Sequence, residues 1–370
     1  MENMRVLLVN LEKGWRGGEN QVLLLARYLK EKQDYVAIAY PKVSTAIPRY
    51  KKEFDVLELD STSDWRPSNI NAISNYVLKH NIQILHANSS KSHGLCLRVK
   101  KKHPHLKLVV HRRVATPPSD NFFTRKKYLS KLVDSYVSLS NAISTELAAY
   151  GVPKEKIVRI PSGVIVDSSP FDKATYKEIL AKKCNVSSKN TFIGMACAIS
   201  IEKGVDTFLR FAKLLENRND VSFFIAGTGP KEEEYKRLAS ELMITDKVHF
   251  LGFLNPVTEY LRALDVFIMP SRQTKTFREG LGSVLLEAVQ ARTSIIASNI
   301  DGIPDVIIDK KTGHLIPVDD FHEMYKTFES LNSETEKSIQ DNAIKHIEAD
   351  FTSEIMAKRN RDNYQRLLNK

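Results

Sequence analysis

Along the first half of the chain, short continuous apolar runs alternate with segments whose apolar residues recur at helical spacing. Arg5 to Asn10 (Arg-Val-Leu-Leu-Val-Asn) is an unbroken run of the kind buried on both faces of a parallel sheet. Further strands are predicted at Tyr35 to Tyr40, Val56 to Leu59, Ile82 to His86, Leu108 to His111 and Tyr136 to Leu139. Helical periodicity lies between them, at Val22 to Leu29, Ile70 to Lys79 and Ala142 to Tyr150. Such alternation predicts a parallel sheet with helices on both faces. A polar, strandless stretch from Asp167 to Asn190, ending in a short basic helix, interrupts the pattern. A second series of strands starts at Thr191 to Ala196 and continues through Phe223 to Ala226, Val248 to Leu251 and Leu264 to Met269, and from Asp320 onward the chain reads as helical and charged. The fold class is therefore α/β, with two Rossmann-like, doubly wound domains and a boundary near residue 165.

Length agrees, since 370 residues exceed one ordinary doubly wound domain and suit two. No run approaches the ~20 apolar residues of a spanning helix. Met1-Glu2-Asn3-Met4-Arg5 leads into a strand without a signal-peptide pattern, so a cytoplasmic protein is expected. Cys96, Cys184 and Cys197 lack metal-ligand spacing and read as reduced, mostly buried thiols. The net charge of +11 is uneven: residues 1–170 hold 27 Lys and Arg against 15 Asp and Glu. Within that half, Lys91 to Lys131 holds twelve basic residues and one acid, Asp120. Such a field attracts phosphate, whether on nucleic acid, an anionic lipid or an anionic carrier. Base-reading and stacking motifs are missing, so nucleic acid is not expected as a partner.

Three loops follow a strand, carry glycine and open a helix. They are Leu11-Glu12-Lys13-Gly14-Trp15-Arg16-Gly17-Gly18-Glu19-Asn20, Ile199-Ser200-Ile201-Glu202-Lys203-Gly204-Val205-Asp206, and Arg278-Glu279-Gly280-Leu281-Gly282-Ser283-Val284-Leu285-Leu286-Glu287-Ala288. Free backbone N–H groups and the positive end of the helix dipole make such turns anion sites, and glycine lets a ligand approach the backbone. The first loop lacks the Gly-x-Gly-x-x-Gly spacing of a dinucleotide site, and Gly17-Gly18 could also serve only a tight turn. In the third loop, Glu279 lies at the mouth and Glu287 about two turns inside the helix, so the pair can hold two parts of one ligand. His86 and His111 sit at strand C-terminal ends, where open α/β sheets bind ligands. The prolines of Arg112-Arg113-Val114-Ala115-Thr116-Pro117-Pro118 exclude a long helix. Asn121 to Leu129 then interleaves aromatics with bases, which suits either an anionic bilayer surface or a core helix with a solvated basic face.

The third loop resembles the Glu-x7-Glu signature of retaining glycosyltransferases with the GT-B fold, the large group 1 family, and is similar to bacterial lipopolysaccharide and envelope-glycan members. The resemblance extends through Pro270-Ser271, Ile295-Ile296-Ala297-Ser298, Gly302-Ile303-Pro304-Asp305-Val306 and Lys311-Thr312-Gly313-His314-Leu315-Ile316-Pro317. It implies an acceptor domain at 1–165, a nucleotide-sugar domain at 166–350 facing it across a cleft, and a last helix within 351–370 that crosses back onto the first domain. By the same resemblance, Glu279 orients the sugar, Lys203 holds the donor diphosphate and His111 reaches the sugar. Gly17, Gly18, Ser200, Gly227, Phe253, Gly280, Leu281, Gly282 and Glu287 would complete the donor site, with Glu287 on the ribose diol.

The family's arginine five residues before the lysine is replaced by Ala198. Arg272, Lys275 and Arg278, in a loop longer than the family's usual spacing, could compensate. No Asp-x-Asp occurs, so neither a metal nor any other cofactor is expected. The implied partners are a nucleotide sugar, a glycan or lipid-linked acceptor, and an anionic membrane touched peripherally on its cytoplasmic face through Lys91 to Lys131. A nucleotide-sugar epimerase and a non-enzymatic nucleotide-sugar-binding protein are the competing readings.

Overall fold

The computed structural model describes residues 3–15, 17–167 and 169–370; Met1, Glu2, Arg16 of the first glycine loop and Ser168 lie outside them. The chain divides into two compact units, Met1–Ile165 with Asp350–Lys370, and Val166–Ala349.

The first unit is built on seven strands, β1 (Arg5–Val9), β2 (Tyr35–Pro41), β3 (Asp55–Leu59), β4 (Ile84–Ala87), β5 (Lys107–Arg112), β6 (Ser135–Ser138) and β7 (Ile157–Arg159). All neighbours are parallel, in the order β3-β2-β1-β4-β5-β6-β7. Alternate residues of β1 feed two cores, Leu7 and Val9 on one face, Val6 and Leu8 on the other. Burial of both faces explains why this strand reads as a continuous apolar run rather than an alternating one.

The C-terminal helix Ser353–Leu368 packs in the same unit against helix Gly17–Glu31. It inserts Met356, Ala357, Tyr364 and Leu367 into the core that holds Val22, Leu25 and Leu29. Arg361 fastens it, donating from Nε to Asp34 at 2.7 Å.

The second unit holds β8 (Thr191–Ala196), β9 (Val221–Ala226), β10 (Val248–Gly252), β11 (Val266–Met269), β12 (Ser294–Ser298) and β13 (His314–Ile316), again all parallel, in the order β10-β9-β8-β11-β12-β13. Strand order reverses at β1, which lies between β2 and β4, and at β8, which lies between β9 and β11. Helices leaving such a point run to opposite faces, and a crevice opens beyond the strand C-termini. Each unit thus has one predetermined place for a ligand. Among the described residues no helix is long and apolar enough to cross a membrane.

Candidate active site

In the second unit, a cavity of about 220 Å³ sits at the switch point, beyond the ends of β8 and β11. Its walls include Ala198, Lys203, Ser271, Glu279, Gly282 and Ser283. A larger cavity of about 990 Å³ touches Thr191, Val266 and Ser294, at the strand N-terminal edge where sheets of this kind do not bind their ligands.

The chain reaches the switch-point cavity by two abrupt turns. After β8, the short turn Ile201–Lys203 ends on Gly204 and helix Val205–Leu214 follows. After β11, a loop runs to Gly282, whose φ of +74° starts helix Ser283–Gln290. A side chain in that left-handed conformation is strained by roughly 1–2 kcal/mol. Glycine there lets the helix begin at the cavity wall with its positive end toward the void.

Lys203 and Glu279 meet in this cavity. Lys203 Nζ donates to Glu279 Oε2 at 2.5 Å, and Ser271 Oγ lies 3.5 Å from the same oxygen. The ammonium also sits 4.8 Å from the centre of the Phe277 ring. Glu279 is held along its backbone too, where its N–H donates to Asp301 Oδ2 at 2.8 Å. Burial raises the Asp301 carboxyl above its usual range. The lysine expected on phosphate and the glutamate expected on sugar therefore neutralise each other here. An ammonium has three donors, so Lys203 can keep Glu279 while donating to phosphate oxygens.

The other expected donor residues divide into two groups. Gly280, Leu281 and Gly282 are buried, with Gly282 on the cavity wall, and Glu287 lies four residues after Ser283 on the same helical face but is not itself on that wall. Burial raises the Glu287 carboxyl above the ordinary range. Ser200 opens the turn carrying Lys203, with its Oγ 3.4 Å from the Ala198 carbonyl. Gly227 has φ +126°, and a Cβ there would fall 1.8 Å from the carbonyl oxygen of Cys197, on the cavity wall. The structure does not bring Phe253 to the cavity; it is 74% exposed beyond β10. Nor does it bring Arg272, which donates to Asp206 at 2.8 Å and pairs with Asp319 at 2.7 Å. Lys275 is exposed on the same loop, and Arg278 bears electrostatically on Asp301. Burial pushes the thiol of Cys197, on the cavity wall, up to about 12.

The first unit has its own cavity of about 550 Å³ beyond β1, β4 and β5, lined in part by Gly18, Asn88, His93, His111 and Arg113. Gly17 and Gly18 begin helix Gly17–Glu31 in ordinary helical backbone. A Cβ on Gly17 would meet nothing within 4 Å, and one on Gly18 only the Arg113 side chain at 3.5 Å. Neither glycine is demanded by the turn. Gly17→Ala should therefore leave the fold intact or stabilise it by up to about 1 kcal/mol, while weakening ligand binding. Thermal melts with and without ligand read both effects, and unchanged binding would return Gly17 to a purely structural role.

His111 is 6% exposed and stacks on His86, with ring centres 5.5 Å apart. Arg113 Nη2 lies 3.4 Å from His111 Nδ1 and can only donate, which assigns the ring proton to Nε2. Among the described residues that Nε2 has no partner. Burial holds His111 neutral, with the Arg113 charge adding to the effect, so His111 can donate one hydrogen bond without carrying charge. The basic segment splits in two. Tyr128 is buried in the core, whereas Phe122 and Phe123, at the start of helix Phe122–Tyr128, are 71% and 75% exposed.

Sequence could not reveal several of these participants. Ser271 and Asp301 matter only because the fold carries them to Glu279, Phe277 because the fold brings it to Lys203, and Arg113 and His93 because it carries them to the first cavity. The reversal of strand order is the signal that could have located them.

Residues 15–168 match the family model described as Glycosyltransferase Family 4, and residues 177–346 match Glycosyl transferases group 1. The lipopolysaccharide core biosynthesis mannosyltransferase LpsB of Rhizobium meliloti is 28% identical over 213 residues, 54% of this chain and 55% of that one. The chain spans about half the length of the curated relatives it matches. Among solved structures, a glycosyltransferase of Rickettsia africae superposes with TM-score 0.87 at 22% identity, covering 100% of both chains. Anabaena Alr3699/HepE in complex with UDP superposes with TM-score 0.84 at 16% identity, covering 98% of this chain and 100% of that one. These likenesses establish the GT-B fold. The chain thus carries a glycosyltransferase match in each unit, Family 4 in the first and group 1 in the second.

Proposed function

We propose that the protein transfers a sugar from a nucleoside-diphosphate sugar to an acceptor hydroxyl, with retention at the anomeric carbon. The observation that carries this reading is the Lys203–Glu279 pair in a cavity at the switch point, beside a helix N-terminus. As the anomeric C–O bond breaks, negative charge grows on the leaving diphosphate. Lys203 and the amides after Gly282 are positioned to meet that charge, which makes them stronger partners of the transition state than of the ground state. They supply this positive charge without a metal, and no other cofactor is needed.

Glu279 is the one carboxylate among the described residues lining this cavity, and it is tied to Lys203. A double displacement needs an acid on each side of the sugar, so a front-face path fits better. On that path the acceptor oxygen bonds to the anomeric carbon on the face the diphosphate leaves, and its proton passes to a departing phosphate oxygen.

The named activity of the Rhizobium relative and the UDP bound to the Anabaena protein support a nucleotide-sugar donor and an acceptor in lipopolysaccharide or another envelope glycan. We place the protein in the cytoplasm, peripherally on the inner face of the membrane. Phe122 and Phe123 would enter the headgroups while the bases between Lys91 and Lys131 meet lipid phosphate.

Incubation with a panel of nucleoside-diphosphate sugars tests the reading. Donor consumption that rises with acceptor, giving a product with the donor's anomeric configuration, is expected. Sugar inversion without transfer would instead favour an epimerase, and binding without turnover a non-catalytic protein. Glu287→Gln should weaken nucleoside diphosphate binding at least tenfold, because a charge-assisted hydrogen bond contributes about 1.5–3 kcal/mol. Equal affinity by titration calorimetry would remove Glu287 from the ribose.

A further inference from the structure

The cavity of the first unit is more basic than a neutral hydroxyl acceptor requires. Lys13, Lys91, Arg112 and Arg113 line it, against the carboxylates of Glu12 and Glu19. Glu19 is already engaged, accepting from Asn10 Nδ2 at 3.0 Å. Arg112 donates to neutral oxygens, the Tyr128 hydroxyl at 2.6 Å and the Thr116 carbonyl. Among the described residues Lys13, Lys91 and Arg112 have no carboxylate within ion-pair distance.

Two further features point to a missing anion. His93 is 0% exposed and lines the cavity, yet among the described residues neither of its ring nitrogens has a partner; the Arg113 Nε and His111 Nε2 also lack one. Buried polar groups normally find partners, and leaving one unmet costs about 1–3 kcal/mol. In addition, helix Ser90–Lys102 starts at the cavity, with Ser89 as its cap, and adds its positive end. Guanidinium forks, ammonium groups, neutral imidazole donors and a helix N-terminus together match a doubly charged tetrahedral oxyanion better than a lone carboxylate.

We propose that this cavity holds the phosphate of the acceptor, a phosphorylated sugar or polyol headgroup that offers one of its hydroxyls for transfer. The proposal rests on the glycosyl-transfer reading above and adds the acceptor's chemical class. The phosphate can belong to a soluble monoester or to a lipid headgroup.

Titration calorimetry on the full chain tests it, with glycerol 3-phosphate and glycerol as probes. Glycerol 3-phosphate should bind at least tenfold tighter than glycerol, and Arg113→Gln or Lys91→Gln should each weaken it about tenfold. Lys91 is exposed, so its substitution leaves the core untouched. Both variants should bind uridine diphosphate as the parent does. Equal affinity for the two probes, full affinity in both variants, or displacement of glycerol 3-phosphate by saturating uridine diphosphate would each overturn the proposal. Competition by phosphatidylglycerol vesicles, but not phosphatidylcholine vesicles, would identify the lipid source, and its absence the soluble one. Donor turnover is read separately. A protein that binds glycerol 3-phosphate but neither binds nor consumes any nucleotide sugar would refute glycosyl transfer while leaving the phosphate site standing.

Discussion

Replacing Lys203 by methionine should slow sugar transfer by about one to two orders of magnitude and also destabilise the protein. Adding Glu279→Gln should recover stability without recovering transfer. The first effect follows from the charge-assisted contact to the leaving diphosphate, about 1.5–3 kcal/mol in the transition state. The second follows from the pair itself. Glu279 is 8% exposed, and its Oε2 has the lysine at 2.5 Å and a serine hydroxyl at 3.5 Å. Without the lysine a nearly buried carboxylate loses its counter-ion, which costs about 3 kcal/mol, the lower end of the range for buried pairs because both side chains retain some water. Glutamine in place of Glu279 removes the stranded charge but supplies no cation. Initial rates and urea unfolding of the two single variants and the double variant give the coupling between the residues. Parental rates in Lys203→Met would remove the lysine from the chemistry, and additive stabilities would show that the pair does not bind its members together.

The sheets were legible because parallel strands covered on both faces leave uninterrupted apolar runs. Their edges were less so. Ile82 is read as a strand start but donates its N–H to the Val77 carbonyl, closing the preceding helix, and β4 begins only at Ile84. Helix Ser90–Lys102 escaped altogether, since its buried residues include Ser92, His93 and Gly94, which give no apolar stripe. The glycine loops stood out at the site because backbone geometry is local. The pairings did not, because they are distant in sequence: Lys203 and Glu279 are 76 residues apart, and His86 and its partner Tyr364 are 278 apart. Arg272 shows the same limit from the other side. Its place in a basic loop suggested phosphate, but the fold gives it Asp206 and Asp319.

Acidification from neutral pH should unfold the protein unusually early, through three histidines buried uncharged in the first unit. His86 is pushed down to about 3 by burial and then by the Arg113 charge. His111 is held well below its ordinary value by burial, Arg113 and His86, and His93 by burial, Lys127 and Arg112. In each case the folded protein resists a proton that the unfolded chain accepts below about pH 6.5. Stability is therefore complete above that value and falls as pH drops below it, each site contributing up to about 1.4 kcal/mol per pH unit. Three sites acting together give a slope of about 4 kcal/mol per unit. An ordinary stability of 5–15 kcal/mol would then be exhausted within roughly one to four units. Carboxylates titrate nearer pH 4, so the loss just below pH 6.5 belongs to imidazole. Urea unfolding at steps of pH measures the slope, and His93→Leu should reduce it by about a third, since it removes one of the three groups. Constant stability between about pH 7 and pH 5 would mean that the protonated rings find partners, which the cations around them, Arg112, Arg113 and Lys127, are poorly suited to provide.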